Sequence, residues 1–176
     1  MKPIISREYA TLNKRLHEER FDYGASATEW VPHIVDLARR NDSKVIFDYG
    51  CGKGTLKTGI AKVAPEFTVL EFDPAIEGKD KIPSGKPDLL VALDVMEHIE
   101  PDYLNAVLAT MRRIRPQAVF LSIATMAANK TLPDGRNAHI IVQPPEWWIE
   151  QLEPHFQQIH AQVNKGHFIY IGRPLP

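Results

Sequence analysis

The sequence predicts an α/β domain: a doubly wound, mostly parallel sheet closed at its C-terminal end by an antiparallel hairpin. Three observations carry this. Residues 44–72 read as strand, Gly-rich turn, helix and strand, a βαβ unit whose right-handed crossover gives adjacent parallel strands. Residues 88–93 and 118–123 are continuous apolar runs, as expected of parallel strands covered on both faces. Two further strand-like runs, 158–163 and 167–171, are joined by Asn164-Lys165-Gly166, which favours a tight hairpin.

The remaining elements follow in order. Residues 6–22 carry mixed charge with Tyr9, Leu12, Leu16 and Phe21 at helical spacing, and Tyr23-Gly24-Ala25-Ser26 breaks that helix. The expected division is an N-terminal arm over 1–25, placed to act as a lid, and one α/β domain over 26–176. Ser26 or Thr28 would cap the next helix, which has Trp30, Ile34, Val35, Leu37 and Ala38 on one face. A helix over 55–63 ends before Pro65, and a strand over 67–72 ends at Asp73-Pro74. The segment 75–87, rich in Gly, Pro and Lys, is irregular, so the third-strand region is shortened. Residues 103–114 form an amphipathic helix, 124–145 a long loop, and 146–156 a short helix led by Trp147-Trp148. A loop that long in a small domain points to function.

Composition narrows the function classes. With 176 residues, 44% hydrophobic, 24% charged and a net charge of -1, the chain has the makeup of a soluble globular domain without overall attraction to nucleic acid or membrane. Arg112, Arg113 and Arg115 are the best candidate for a local basic patch. The single cysteine, Cys51, excludes an internal disulfide, and its place inside the Gly-rich turn reads as structural. The first residues lack the apolar stretch of a signal peptide, and no window approaches the roughly 20 apolar residues of a membrane helix. A cytoplasmic location is the expectation; nothing in the sequence addresses oligomeric state.

The turn Asp48-Tyr49-Gly50-Cys51-Gly52-Lys53-Gly54 follows a strand and opens a helix. Glycine there permits backbone conformations and close ligand approach that a Cβ would block. The helix start offers free N–H groups. Asp48 can take an ammonium or order the turn. Asp73 stands at the tip of the next strand, about 20 residues on, where a carboxylate can accept ribose hydroxyls. A dinucleotide site fits less well, because Thr55 stands where the third glycine of Gly-x-Gly-x-x-Gly would be.

Residues 47–54 resemble motif I of class I S-adenosylmethionine (SAM)-dependent methyltransferases, a Rossmann-like fold. Glu71-Phe72-Asp73-Pro74 resembles their second-strand acidic motif. Residues 90–99, with Leu93-Asp94-Val95-Met96-Glu97-His98, are similar to the fourth-strand motif of the subgroup that includes ubiquinone-biosynthesis O-methyltransferases. The resemblance implies SAM as cofactor. Gly50, Gly52 and Lys53 would lie against it, Asp48 near its amino group, Asp73 on the ribose, and Leu93 and Asp94 beside the methionine portion. Relatives carry a longer third-strand segment with an Asp for adenine; in the shortened stretch here Asp80 is the only obvious substitute.

Ligands of open α/β sheets bind beyond the carboxyl ends of the strands, which brings 94–100 and the long loop to the reaction. His98 is the leading general base, with His139 a second catalytic candidate. Glu97 reads as structural, bonding backbone near the cofactor loop. Asp94, Glu97 and His98 together also resemble the carboxylate-rich metal site of some O-methyltransferases, among them small-RNA 2′-O-methylating enzymes, and His139 could supply another ligand from the long loop. Arg136 and Lys130 could clamp an anionic acceptor, Asn137 could address the reacting group, and Tyr23 could reach the substrate from the arm. The expected function is methyl transfer from SAM to an O or N atom of a small-molecule acceptor. The alternatives are a metal-dependent O-methyltransferase acting on a nucleic-acid or sugar hydroxyl, a SAM- or nucleoside-binding protein without catalysis (its pocket blocked by Trp147 or Trp148), and an NAD-dependent oxidoreductase.

Overall fold

The computed structural model describes residues 3–19, 26–164 and 166–176. Six strands form one sheet in the order β2-β1-β3-β4-β6-β5. Strands β1 (Val45–Tyr49), β2 (Thr68–Phe72), β3 (Leu89–Leu93) and β4 (Ala118–Ala124) are parallel, and β5 (Phe156–Asn164) and β6 (His167–Pro174) add the antiparallel pair. β3 and β4 are buried at every position, which is why they are apolar throughout rather than alternating. Asp88 gathers the strand starts: its carboxylate accepts the Lys44 and Val45 N–H groups at 2.8 and 2.9 Å and the Gln117 side-chain amide at 2.8 Å.

The helices divide between the two faces. On one face α2 (Val31–Arg40) and α3 (Thr55–Val63) bury Ile34, Ala38, Leu56 and Ile60 against Ile46, Leu89, Val91 and Phe120. On the other, α4 (Pro101–Ile114) and α5 (Pro145–Leu152) bury Leu104, Leu108, Met111, Trp148 and Leu152 against Phe47, Leu90, Leu121 and Tyr170. This is the doubly wound arrangement expected. No strand forms between β2 and β3, so the segment after Asp73 is a compact turn region instead of a further layer of sheet. Among the described residues no helix is long and apolar enough to cross a membrane.

Several boundaries differ from expectation. The helix expected over 146–156 ends at Leu152, because Pro154 has no N–H to extend the ladder, and β5 already begins at Phe156. Neither Ser26 nor Thr28 caps α2; a 3₁₀ turn (Ser26–Trp30) leads into it, with Trp30 at the cap and Pro32 in the first turn. The N-terminal helix α1 spans Arg7–Glu19. Its Tyr9 and Leu16 join Leu132 of the long loop in a third apolar cluster, supported by Ile5, Leu12 and Ile140. The loop is therefore held against α1 rather than solvated throughout. Because α4 runs back antiparallel to β3, its terminal Arg112, Arg113 and Arg115 lie at the end of the sheet away from the Gly-rich turn.

Candidate active site

A half-open cleft lies beyond the carboxyl ends of β1, β2 and β3. Its walls are Tyr49, Gly50 and Gly52 of the turn, Asp73, Pro74 and Ala75 after β2, and Asp94, Val95, His98, Ile99 and Glu100 after β3; Ile4, Ile5, Tyr9 and Asn13 close it from the N-terminal side. The turn is shaped by left-handed glycines, with φ of 75° at Gly50, 50° at Gly52 and 75° at Gly54. Gly50 donates its N–H to the Phe72 carbonyl at 2.7 Å, and a Cβ on it would lie 2.6 Å from Val95 Cγ2. Replacing Gly50 with Ala therefore combines a left-handed penalty of about 1 kcal/mol with a steric clash, and thermal unfolding is expected to show a Tm lower by several degrees.

Asp73 ties the turn to β2. Its Oδ2 accepts the Gly52 N–H and its Oδ1 the Ala75 N–H, both at 3.0 Å, and it is 6% exposed. Asp48 is more deeply placed. It is 2% exposed, and its Oδ2 has no hydrogen-bond partner. Burial, then the nearby Glu71 carboxylate, raises its pKa to about 7, against an opposing pull from Lys79. Lys79, from the shortened segment, braces this region by donating to Glu71 Oε1 at 2.9 Å and to the Gly52 carbonyl at 3.2 Å. Asp94 takes a left-handed φ of 55°, accepts from Ser122 Oγ at 2.9 Å and faces His167 Nε2 at 3.5 Å.

A 3₁₀ turn, Met96–His98, carries the next group. Glu97 is wholly buried; its Oε1 accepts the Ala124 N–H at 3.0 Å, whereas Oε2 has no partner. Burial, and then the neighbouring Asp94, pushes its pKa up to about 8. His98 Nδ1 donates to the Ala138 carbonyl at 2.7 Å, and His139 Nδ1 to that of Met126 at 2.6 Å. The two imidazoles meet edge to face with centroids 4.9 Å apart. Asn137 sets the loop that delivers His139: its Oδ1 accepts the N–H groups of Ala128 and His139, both at 2.9 Å, and its Nδ2 donates to the Ala128 carbonyl.

Residues 25–173 match the family model described as a methyltransferase domain. The chain belongs to the methyltransferase domain family. Solved structures share the fold of this methyltransferase domain at low identity. The Burkholderia thailandensis 1,6-didemethyltoxoflavin N1-methyltransferase, solved with 1,6-didemethyltoxoflavin and S-adenosylhomocysteine, is 17% identical with a TM-score of 0.61, covering 100% of this chain and 93% of that one. Human N-acetylserotonin methyltransferase with SAM is 14% identical with a TM-score of 0.65, covering 97% and 60%. PigF with S-adenosylhomocysteine is 13% identical with a TM-score of 0.58, covering 94% and 62%. The chain thus spans about three fifths of the length of the latter two. Among curated proteins none matches the sequence.

The methyltransferase domain places the anticipated residues unevenly. Gly50, Gly52, Asp73, Asp94 and His98 all border the cleft, and Leu93 ends β3 beside it. Lys53 sits in the turn between Gly52 and Gly54 and is exposed. Arg136 is bound to Asp134 at 2.6 Å and lies over the Tyr9 ring at 5.9 Å. Tyr23 lies outside the described residues. Trp148 is core and Trp147 half-buried beside it, and neither lines the cleft. The Cys51 thiol is buried, and its pKa is driven far up, mainly by burial. Sequence reasoning missed Ile4, Ile5 and Asn13 as cleft residues, and Glu100, whose Oε2 accepts the Ser6 N–H at 2.8 Å and pins the arm. The one available signal was the Ile4-Ile5 pair just ahead of a charged helix.

Proposed function

We propose that this domain transfers the methyl group of SAM to an O or N atom of a small-molecule acceptor. The observation that carries the reading is one cleft bordered by Gly50, Gly52, Asp73, Asp94 and His98, with Asp48 behind it. The residues suit SAM. The unpaired, buried Asp48 Oδ2 is matched to an ammonium, and an ion pair there offsets the cost of burying the charge. The left-handed glycines leave room for the ligand against the backbone. Asp73 has oxygen lone pairs beyond its two backbone bonds for ribose hydroxyls. Leu93 and Asp94 border the methionine portion, and Lys53 the edge of the turn.

SAM, when bound, supplies an electrophilic methyl on sulfur. The protein's part is alignment and proton handling. His98 is the base we assign: its Nδ1–H is held by the Ala138 carbonyl, which leaves the lone pair of the neutral ring on Nε2. Residues 3–19 serve as a lid, pinned through Glu100 and the Tyr9–Leu132 contact. The sequence of the strand end 93–98 resembles that of ubiquinone-biosynthesis O-methyltransferases, which supports a hydroxyl acceptor. The test uses methyl-labelled SAM with panels of small phenols, alcohols, carboxylic acids and amines, read by mass spectrometry. Label in a product, lost in His98→Ala, is the expected result; an inert panel with SAM bound and unconsumed would count against catalysis.

A further inference from the structure

We infer that Glu97, His98 and His139 bind a divalent transition-metal ion at the edge of the cleft. One ligand atom from each of the three lies within 4.8 Å of the others. Around a single ion such atoms stand about 3–3.5 Å apart, from bonds of about 2.0–2.2 Å, so side-chain closure of about 1.5 Å completes the set. The group joins two distant parts of the chain, the 3₁₀ turn after β3 and the long loop after β4.

Three features favour an ion over a chance encounter. First, both imidazoles donate Nδ1–H to backbone carbonyls, those of Ala138 and Met126, so each neutral ring carries its lone pair on Nε2. Backbone carbonyls commonly orient metal-binding histidines in this way. Second, Glu97 is wholly buried with one oxygen held by the Ala124 N–H and the other without a partner. A buried carboxylate oxygen lacking a donor is costly, and a cation removes that cost. Third, the loop is fixed where it meets the turn. Asn137 folds it around Ala128 and His139, and the Ile141 N–H donates to the Glu97 carbonyl at 3.0 Å.

Asp94 is outside this group; its carboxylate accepts from Ser122 Oγ and faces His167 Nε2. The set thus differs from the metal alternative read from sequence, Asp94, Glu97 and His98 with His139 as a further ligand, in leaving out Asp94. Two imidazoles and one carboxylate suit Zn, Fe, Co, Ni or Mn and leave coordination positions open. His98 also lines the cleft, so those positions border it. Given the methyl-transfer reading above, the His98 Nε2 lone pair would sit on the ion when it is bound and not serve as a free base. The open positions would take an acceptor oxygen, a hydroxyl or carboxylate, whose ionisation the ion itself would ease, and the domain would favour O- over N-methylation.

The test is metal titration of the whole chain after chelator treatment. Co²⁺ is followed by its visible absorption and Zn²⁺ by calorimetry, with SAM affinity measured on the same samples. We expect one ion per chain at micromolar Kd or tighter. Glu97→Gln, which keeps the side-chain shape, and His139→Ala, on a surface loop, should each weaken it by about 10-fold or more. SAM affinity should stay within about 2-fold in both variants, since SAM and the ion use different side chains. Absence of ion binding by the wild-type chain, or binding that both variants retain, would overturn the site. Either result leaves the SAM reading standing, because that reading fails only if SAM does not bind.

Discussion

Asp73→Ala should weaken SAM binding by about 100-fold or more and also loosen the apo protein. The carboxylate accepts two backbone N–H groups, from Gly52 and Ala75, at a site that is 6% exposed. Removing it strands both donors. Bonds to a charged group are worth about 1.5–3 kcal/mol each, so an apo destabilisation of about 3–5 kcal/mol is expected. For a domain of this size that is a fall in Tm of roughly 10 °C. Loss of the proposed ribose contacts and of the turn's shape should together reduce SAM affinity by about 100-fold or more, which is about 2.7 kcal/mol. Asp73→Asn is the control. It keeps an oxygen for one donor and should recover part of the stability while binding SAM poorly. Calorimetric titration and thermal melts of both variants check this; wild-type SAM affinity in Asp73→Ala would contradict the assignment.

Asp48→Asn should move stability and binding in opposite directions. Asp48 is 2% exposed, and burial holds its pKa at about 7 when no ligand is present. In the unfolded chain the same carboxyl ionises near its ordinary value of 3.8. Between those values the folded protein holds the extra proton. The stabilisation carried by the neutral carboxyl is thus complete below pH 3.8, declines as pH rises, and is gone above about 7. At pH 8 the neutral Asn avoids the buried charge, so the apo variant should be more stable than wild type by at least about 1 kcal/mol, or ~3 °C in Tm. Its SAM affinity should be lower by about 10-fold or more, since the ammonium has lost its counter-charge. In the wild-type protein SAM affinity should fall as pH drops below about 7, because the carboxyl must first release its proton. Equal stability and equal affinity in Asp48→Asn at pH 8 would remove Asp48 from the binding scheme.

The sheet was legible because its signals are local. Continuous apolar runs marked β3 and β4, the Gly-rich turn marked the β1–α3 junction, and Asn164 to Gly166 marked the hairpin. The shortened segment after Asp73 was also readable, since its Gly, Pro and Lys content leaves no strand pattern. What the sequence hid depends on contacts between distant residues. Lys79 looks like one of several lysines until the fold sets it between Glu71 and the Gly52 carbonyl. Ile4, Ile5 and Asn13 gain meaning only when α1 lies over the cleft. The long loop read as a set of polar groups awaiting a ligand. In the fold its Asn137 instead shapes the loop itself, Arg136 pairs with Asp134 two residues away, and Leu132 is core. His139 is the residue that this loop structure delivers to His98 and Glu97. Glu97, eye-catching as half of a Glu-His motif, shows its unpaired oxygen only in three dimensions.

The cleft over Gly50, Gly52 and Asp73 is the proposed SAM site. Isothermal titration of the whole chain with SAM, S-adenosylhomocysteine and NAD tests it most directly. One site per chain for both sulfur nucleosides, with micromolar Kd and no binding of NAD, is the predicted result. A chain that binds neither SAM nor S-adenosylhomocysteine, or that prefers NAD, would rule that site out.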